Sequence, residues 1–245
     1  MNTAIVALTL RQLLGKRRAL LMVLLAALPV VAAIAFRFGN AGDSPQHWAA
    51  NSLLKGLIVT VLVPLVSLIF GTTALGTEIE DGTIVYLLSK PVSRLQVVGA
   101  KLVAAWLPTV LLVLLSTAIS AAIVLQGPGS FSILVGFMVA AALGSFVYCC
   151  VFLLLSVFTS RALIAGLIYV FLWEGVVTEL FAGMRVFSVR QYTLGVADLI
   201  ADTSRRTFEA NLGGVEALIL MAVVSVAAVA FAVRRLSRFE IRTSG

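Results

Sequence analysis

A chain of 245 residues that is 61% hydrophobic and 12% charged, with a mean hydropathy of +1.10, has too few charges to cover a water-facing surface. That excludes an ordinary soluble domain and defines an integral membrane protein. The net charge of +7 would suggest nucleic acid in a soluble chain, but here the basic residues sit at the ends of apolar runs, as topology anchors do, and no nucleic-acid partner is expected.

From the N-terminus, Val6, Leu10, Leu13 and Leu14 fall on one helical face, with Thr9, Gln12 and Lys16 opposite. This pattern predicts an amphipathic elbow helix over 1–18 lying in the membrane interface. No cleavage signature follows, so the first apolar run is expected to be a retained helix. Six spans are long enough for a core of ~30 Å at ~20 residues: 19–36, 53–75, 99–125, 131–158, 162–181 and 215–233. The fold class expected is therefore an all-α polytopic protein, one transmembrane domain over 1–245. Twelve of the 18 Lys and Arg residues fall on one face, including Lys16, Arg17, Arg18, Arg94, Lys101, Arg161, Arg234 and Arg235. The positive-inside rule puts that face, both termini and the 76–98 loop in the cytoplasm.

On the other face, 37–52 reads as a short polar loop. The 181–214 segment is long and only half polar, so short helices forming an outer lid are expected between spans five and six. Gly136, Ala140 and Gly144 recur at spacing four in span four, which lets helix backbones approach closely. Cys149 and Cys150 are adjacent and far from the single His47; they read as buried hydrophobes, without a disulfide or metal site.

The 76–98 loop is longer than a plain connector between helices. It carries the chain's acidic cluster (Glu78, Glu80, Asp81), a break at Gly82 and Thr83, a short apolar run around Tyr86, and then Pro91 and Arg94. A short helix held parallel to the membrane would present such a run to a cytoplasmic groove. A solvated loop is the plain alternative.

Catalytic signatures are missing. One histidine cannot make a His-Glu-x-x-His site, and the Gly76 to Gly82 interval lacks the lysine of a phosphate loop. No enzyme is expected. Glu174, beside Trp173, is the one carboxylate placed deep in a span: 13 residues after Arg161 is ~20 Å into the core. An intramembrane carboxylate suggests a functional site, one that lines a polar cavity, binds a cationic substrate or relays protons. The structural alternative pairs it with Arg185 or Arg190.

The run Glu78-x-Glu80-x-Gly82-Thr83-Ile84-x-x-Leu87-Leu88-Ser89-x-Pro91-x-Ser93-Arg94, followed by Gly99-x-Lys101, resembles the signature of permease subunits of type-two ATP-binding-cassette exporters. The closest branch resembles the nitrous-oxide-reductase maturation permease. The resemblance implies two permeases, as a homodimer in the plasma or inner membrane, over two separate ATPase subunits that supply ATP and Mg. The permease itself holds no cofactor. It also implies that Glu78, Glu80, Asp81, Gly82, Thr83 and Tyr86 belong to a coupling helix in the ATPase groove, that Pro91 and Arg94 orient the start of span three, and that Glu174 and Trp173 lie near the route. A scaffold or mechanotransmitting subunit and a proton-coupled carrier using Glu174 are the competing functions.

Overall fold

The computed structural model describes residues 16–39, 44–82, 93–125, 130–201 and 210–237. Among these, every regular element is helical, as lipid demands of segments without a closed sheet. Helix α1 is Lys16–Phe38. Helix α2 is a continuous rod of Pro45–Trp48, Ala49–Leu62 and Val63–Glu80. Helices α3 and α4 are Arg94–Val124 and Ser130–Phe158. Helix α5 joins Ala162–Ile168, Tyr169–Val177 and Thr178–Leu180. A 3₁₀ turn, Ala182–Phe187, leads to α6, Val189–Ala201, and α7 is Gly214–Ser237. Helices α1 to α5 and α7 are each long and apolar enough to cross a membrane, so the six expected spans are all found.

Three boundaries differ from expectation. Part of the expected 37–52 loop is helix: Pro45 at the first helical turn and Ser44, whose Oγ accepts from the His47 N–H at 3.4 Å, start α2 early. The Trp48 ring then stacks on Phe36 of α1 at 4.0 Å, tying the first two spans at that end. Helix α3 starts at Arg94, capped by Ser93, before the expected position 99. Finally, Lys16, Arg17 and Arg18 already wind into α1; the rest of the expected elbow helix lies outside the described residues.

Helix α4 is the hub, with α2, α3, α6 and α7 packed around it. Its small residues permit this. A Cβ on Gly144 would stand 2.3 Å from Thr193 Oγ1, and one on Gly136 would meet the Ala197 carbonyl and the Ala201 amide at 2.9 Å. The glycines expected to serve close packing therefore receive α6, which lies against the middle of α4 and is buried from Val189 to Ala197. Helix α6, within the segment between spans five and six, is thus wedged among spans, with its far end exposed at Leu199.

Two stretches wind more widely than an α-helix. In Ala49–Leu62 the Val63 N–H reaches back to Ile58 and Thr60 Oγ1 to the Lys55 carbonyl, five residues away. In Tyr169–Val177 the Thr178 N–H reaches Trp173. Such i→i+5 winding is rare at this length and recurs at functional positions.

Candidate functional site

The polar loop is built at its two roots. Thr77 and Ile79 carbonyls accept from the Asp81 and Gly82 N–H groups, and Gly82 takes φ +67°, the left-handed conformation that closes a helix at least cost in glycine. This is the physical reason for a glycine at 82. On the far side Ser93 Oγ accepts from the Gln96 N–H at 3.3 Å and opens α3. Across the gap, Lys101 of α3 forms an ion pair with Glu78 of α2. The Lys101 side chain is 2% exposed and that of Glu78 19%.

The acidic cluster therefore divides. Glu78 turns into the bundle and clamps the last turn of α2 to the second turn of α3, while Asp81 and Gly82 are exposed. Arg94 is half-buried at the start of α3. Thr83, Tyr86 and Pro91 lie outside the described residues, and nothing is described of the Glu80 side chain. Lys101, which the sequence places both among the topology anchors and in the loop motif, is the partner of Glu78. Its signal was available: it is a lysine between Ala100 and Leu102, on the run that returns from the acidic loop.

The second polar centre is Glu174, 3% exposed. Wide winding makes it. In an α-helix residue i+5 lies ~140° round the axis, but the wider i→i+5 turn brings it back toward the face of residue i, and the Tyr169 hydroxyl donates to Glu174 Oε1 at 2.9 Å. The same oxygen accepts from the Val189 N–H at 3.0 Å. Oε2 accepts from Ser188 Oγ at 3.0 Å and the Arg190 N–H at 3.1 Å. Ser188 Oγ in turn accepts from the Gln191 N–H at 3.3 Å. The first three amides of α6 are thereby satisfied, and a negative charge stands where a helix start favours one. Four donors on one carboxylate are the compensation a buried charge requires.

Of the two basic candidates for Glu174, neither reaches it with its guanidinium. Arg190 pairs with Glu179 at 2.5 Å and donates to Thr178 Oγ1 at 3.4 Å; Arg185 reaches the Thr178 carbonyl and Asn211. Trp173 donates to the Phe187 carbonyl at 3.3 Å and so fastens the 3₁₀ turn to α5. Tyr192 donates to the Val186 carbonyl; burial and the nearby Glu174 charge push its phenol up to about 12, which keeps it a donor. Ser188, Thr178 and Tyr169 carry no signal in the sequence because each is ordinary until the chain folds back. Among the described residues no cluster of His, Cys, Asp or Glu could hold a metal ion.

Six membrane-length helices around a glycine-bearing hub, with a further helix folded back among them, define a multi-pass membrane protein. The chain belongs to the ABC-2 family of transporter proteins: the family model described as "ABC-2 family transporter protein" matches residues 3–240. It is accordingly a permease subunit of an ABC transporter, a membrane component whose family associates with ABC ATPase subunits. No curated protein matches it.

Proposed function

We propose that the chain is the membrane half of an ATP-driven exporter, working as a homodimer over two ATPase subunits that dock on the 76–98 loop. The observation that carries this reading is the Glu78–Lys101 ion pair. A loop whose roots are joined by a buried pair transfers a push at its tip to α2 and α3 together, whereas untied roots would hinge. Glu80, Asp81, Gly82, Thr83 and Tyr86 form the docking element in this reading, with Pro91 and Arg94 setting the angle of its return. The basic face is cytoplasmic, both termini lie there, and the membrane is the plasma or inner membrane. Within the family the loop motif favours the nitrous-oxide-reductase maturation branch. The cargo is hydrophobic or amphiphilic, in keeping with apolar spans.

The engaged carboxylate of Glu174 favours a structural use over proton carriage, since all four of its bonds go to donors within the chain. A mechanotransmitting subunit without a passage remains the rival, and a cargo assay decides between the two.

The test is co-purification from native membranes in mild detergent, with nucleotide hydrolysis assayed on the complex. A stoichiometric ATPase is expected. Asp81→Arg should abolish its retention. Lys101→Met should leave the ATPase bound while lowering cargo-stimulated hydrolysis at least several-fold, and the charge exchange Glu78→Lys with Lys101→Glu should restore part of it. A chain that comes down alone, or an ATPase indifferent to both sites, refutes the reading.

A further inference from the structure

Helix α5 meets its neighbours along one line. Ala162, Gly166, Val170, Glu174 and Thr178 recur at spacing four, and all are buried. In an α-helix that spacing drifts by ~40° a step, or ~160° from Ala162 to Thr178, which would carry the line round to the other side. The wider turns of Tyr169–Val177 take up the drift. Ile164, Ile168 and Leu172 are each more than half exposed, so among the described residues α5 has no backing on its outward side.

Two points along the buried line hold α5. At Glu174 the carboxylate is bonded to the start of α6. At Gly166 a leucine of α2 enters a hole in α5: a Cβ there would stand 2.1 Å from Leu68 Cδ1 and 3.4 Å from Cδ1 of Phe152. A methyl group of Leu68, a residue 1% exposed, thus fills the space that a side chain at 166 would take. The Phe152 ring stands beside it and meets Tyr169 edge-on at 6.2 Å. A methyl group sunk that far cannot slide along α5 without lifting it, because close-packed interfaces shift in jumps rather than smoothly.

Leu68 also belongs to the α-helical stretch Val63–Glu80 that carries Glu78. The two residues are ~15 Å apart along the helix, with no wide turn between them. What displaces the root of the 76–98 loop therefore displaces Leu68. We propose, on the reading that an ATPase docks on that loop, that Leu68 and Gly166 are the joint through which nucleotide-driven movement of the root passes from α2 to α5. Leu68 is the positioning residue. Glu174 keeps the far half of α5 on α6, and the wide turns that begin between the two points absorb the displacement.

The test uses the full chain with its co-purified ATPase, carrying one environment-sensitive fluorophore on Leu95→Cys, at the root of the loop, or on Ile168→Cys, on the outward side of α5. Both positions are exposed, and the native thiols are buried. ATP with vanadate should shift both signals. Leu68→Val withdraws the methyl group from the hole with little loss of bulk. The signal at 95 should then persist while that at 168 falls at least ~2-fold, the low end of what substitutions along a coupling path produce. Leu68→Met, whose flexible chain can refill the hole, should restore the signal at 168. A signal at 168 that ignores Leu68→Val, or is already missing from the unsubstituted complex while 95 responds, overturns the joint and leaves the docking reading standing. So does an equal loss at both positions, which a merely structural leucine would give, or a loss in Leu68→Met as large as in Leu68→Val. Silence at both positions in the unsubstituted complex refutes the docking reading, and the joint with it.

Discussion

At the scale of single residues, Glu174 has the sharpest energetic role. Its carboxylate holds the Tyr169 and Ser188 hydroxyls and the first two amides of α6. An amide in its place offers one accepting oxygen and turns an NH₂ donor toward groups that are themselves donors. At ~1–3 kcal/mol for each buried donor left unmet, Glu174→Gln should lower stability by about 2 kcal/mol or more. Thermal unfolding in detergent will report the loss, and hydrogen exchange should localise it to the amides of Val189 and Arg190. Unchanged protection at those two amides would rule out the cap. A buried charge could be recognised at 174 from sequence alone, but its partners could not. They lie up to 16 residues away across a reversal of the chain, and no local pattern announces which hydroxyl turns inward.

At the scale of elements, the seating of α6 on α4 depends on absent side chains. Gly144→Ala would drive a methyl group to 2.3 Å from Thr193 Oγ1, closer than atoms tolerate, in a site buried on both sides. Overpacking of this kind costs ~1–3 kcal/mol. Removing the hydroxyl and methyl of the neighbour as well, in Gly144→Ala with Thr193→Ala, should recover most of the folded yield measured by size-exclusion chromatography; a double variant no better than the single one would show that the strain lies elsewhere. The six spans were legible because hydropathy sums over ~20 residues and local exceptions average out. Helix α6 was not legible as a buried wedge, because Arg190, Gln191, Tyr192 and Thr193 read as surface until Glu179, Asn211 and Val186 supply their partners. The wide turns were equally hidden, since nothing in the residues from Ala49 to Leu62 distinguishes i→i+5 bonding from i→i+4.

For the whole molecule, the distribution of Lys and Arg predicts an orientation with the basic face inside. With the basic face inside, a cysteine replacing Tyr86 should react with a membrane-impermeant maleimide only after the membrane is opened, and one replacing Ser204 should react from outside in sealed cells. The native thiols do not interfere, since Cys149 and Cys150 are both buried. The opposite pattern would invert the topology and, with it, the side on which an ATPase can dock.

The wide winding of Ala49–Leu62 has a mechanical consequence for α2. More residues per turn make a shorter, fatter coil than the same chain wound as α-helix, so this stretch is spooled slack. It lies between two fixed points, the Phe36–Trp48 stack at one end and the Glu78–Lys101 pair at the other. Any turn rewound to α-geometry would both lengthen the rod and swivel everything beyond it. Span two is therefore geared: a change of pitch near one surface emerges at the other as rotation of the loop's root.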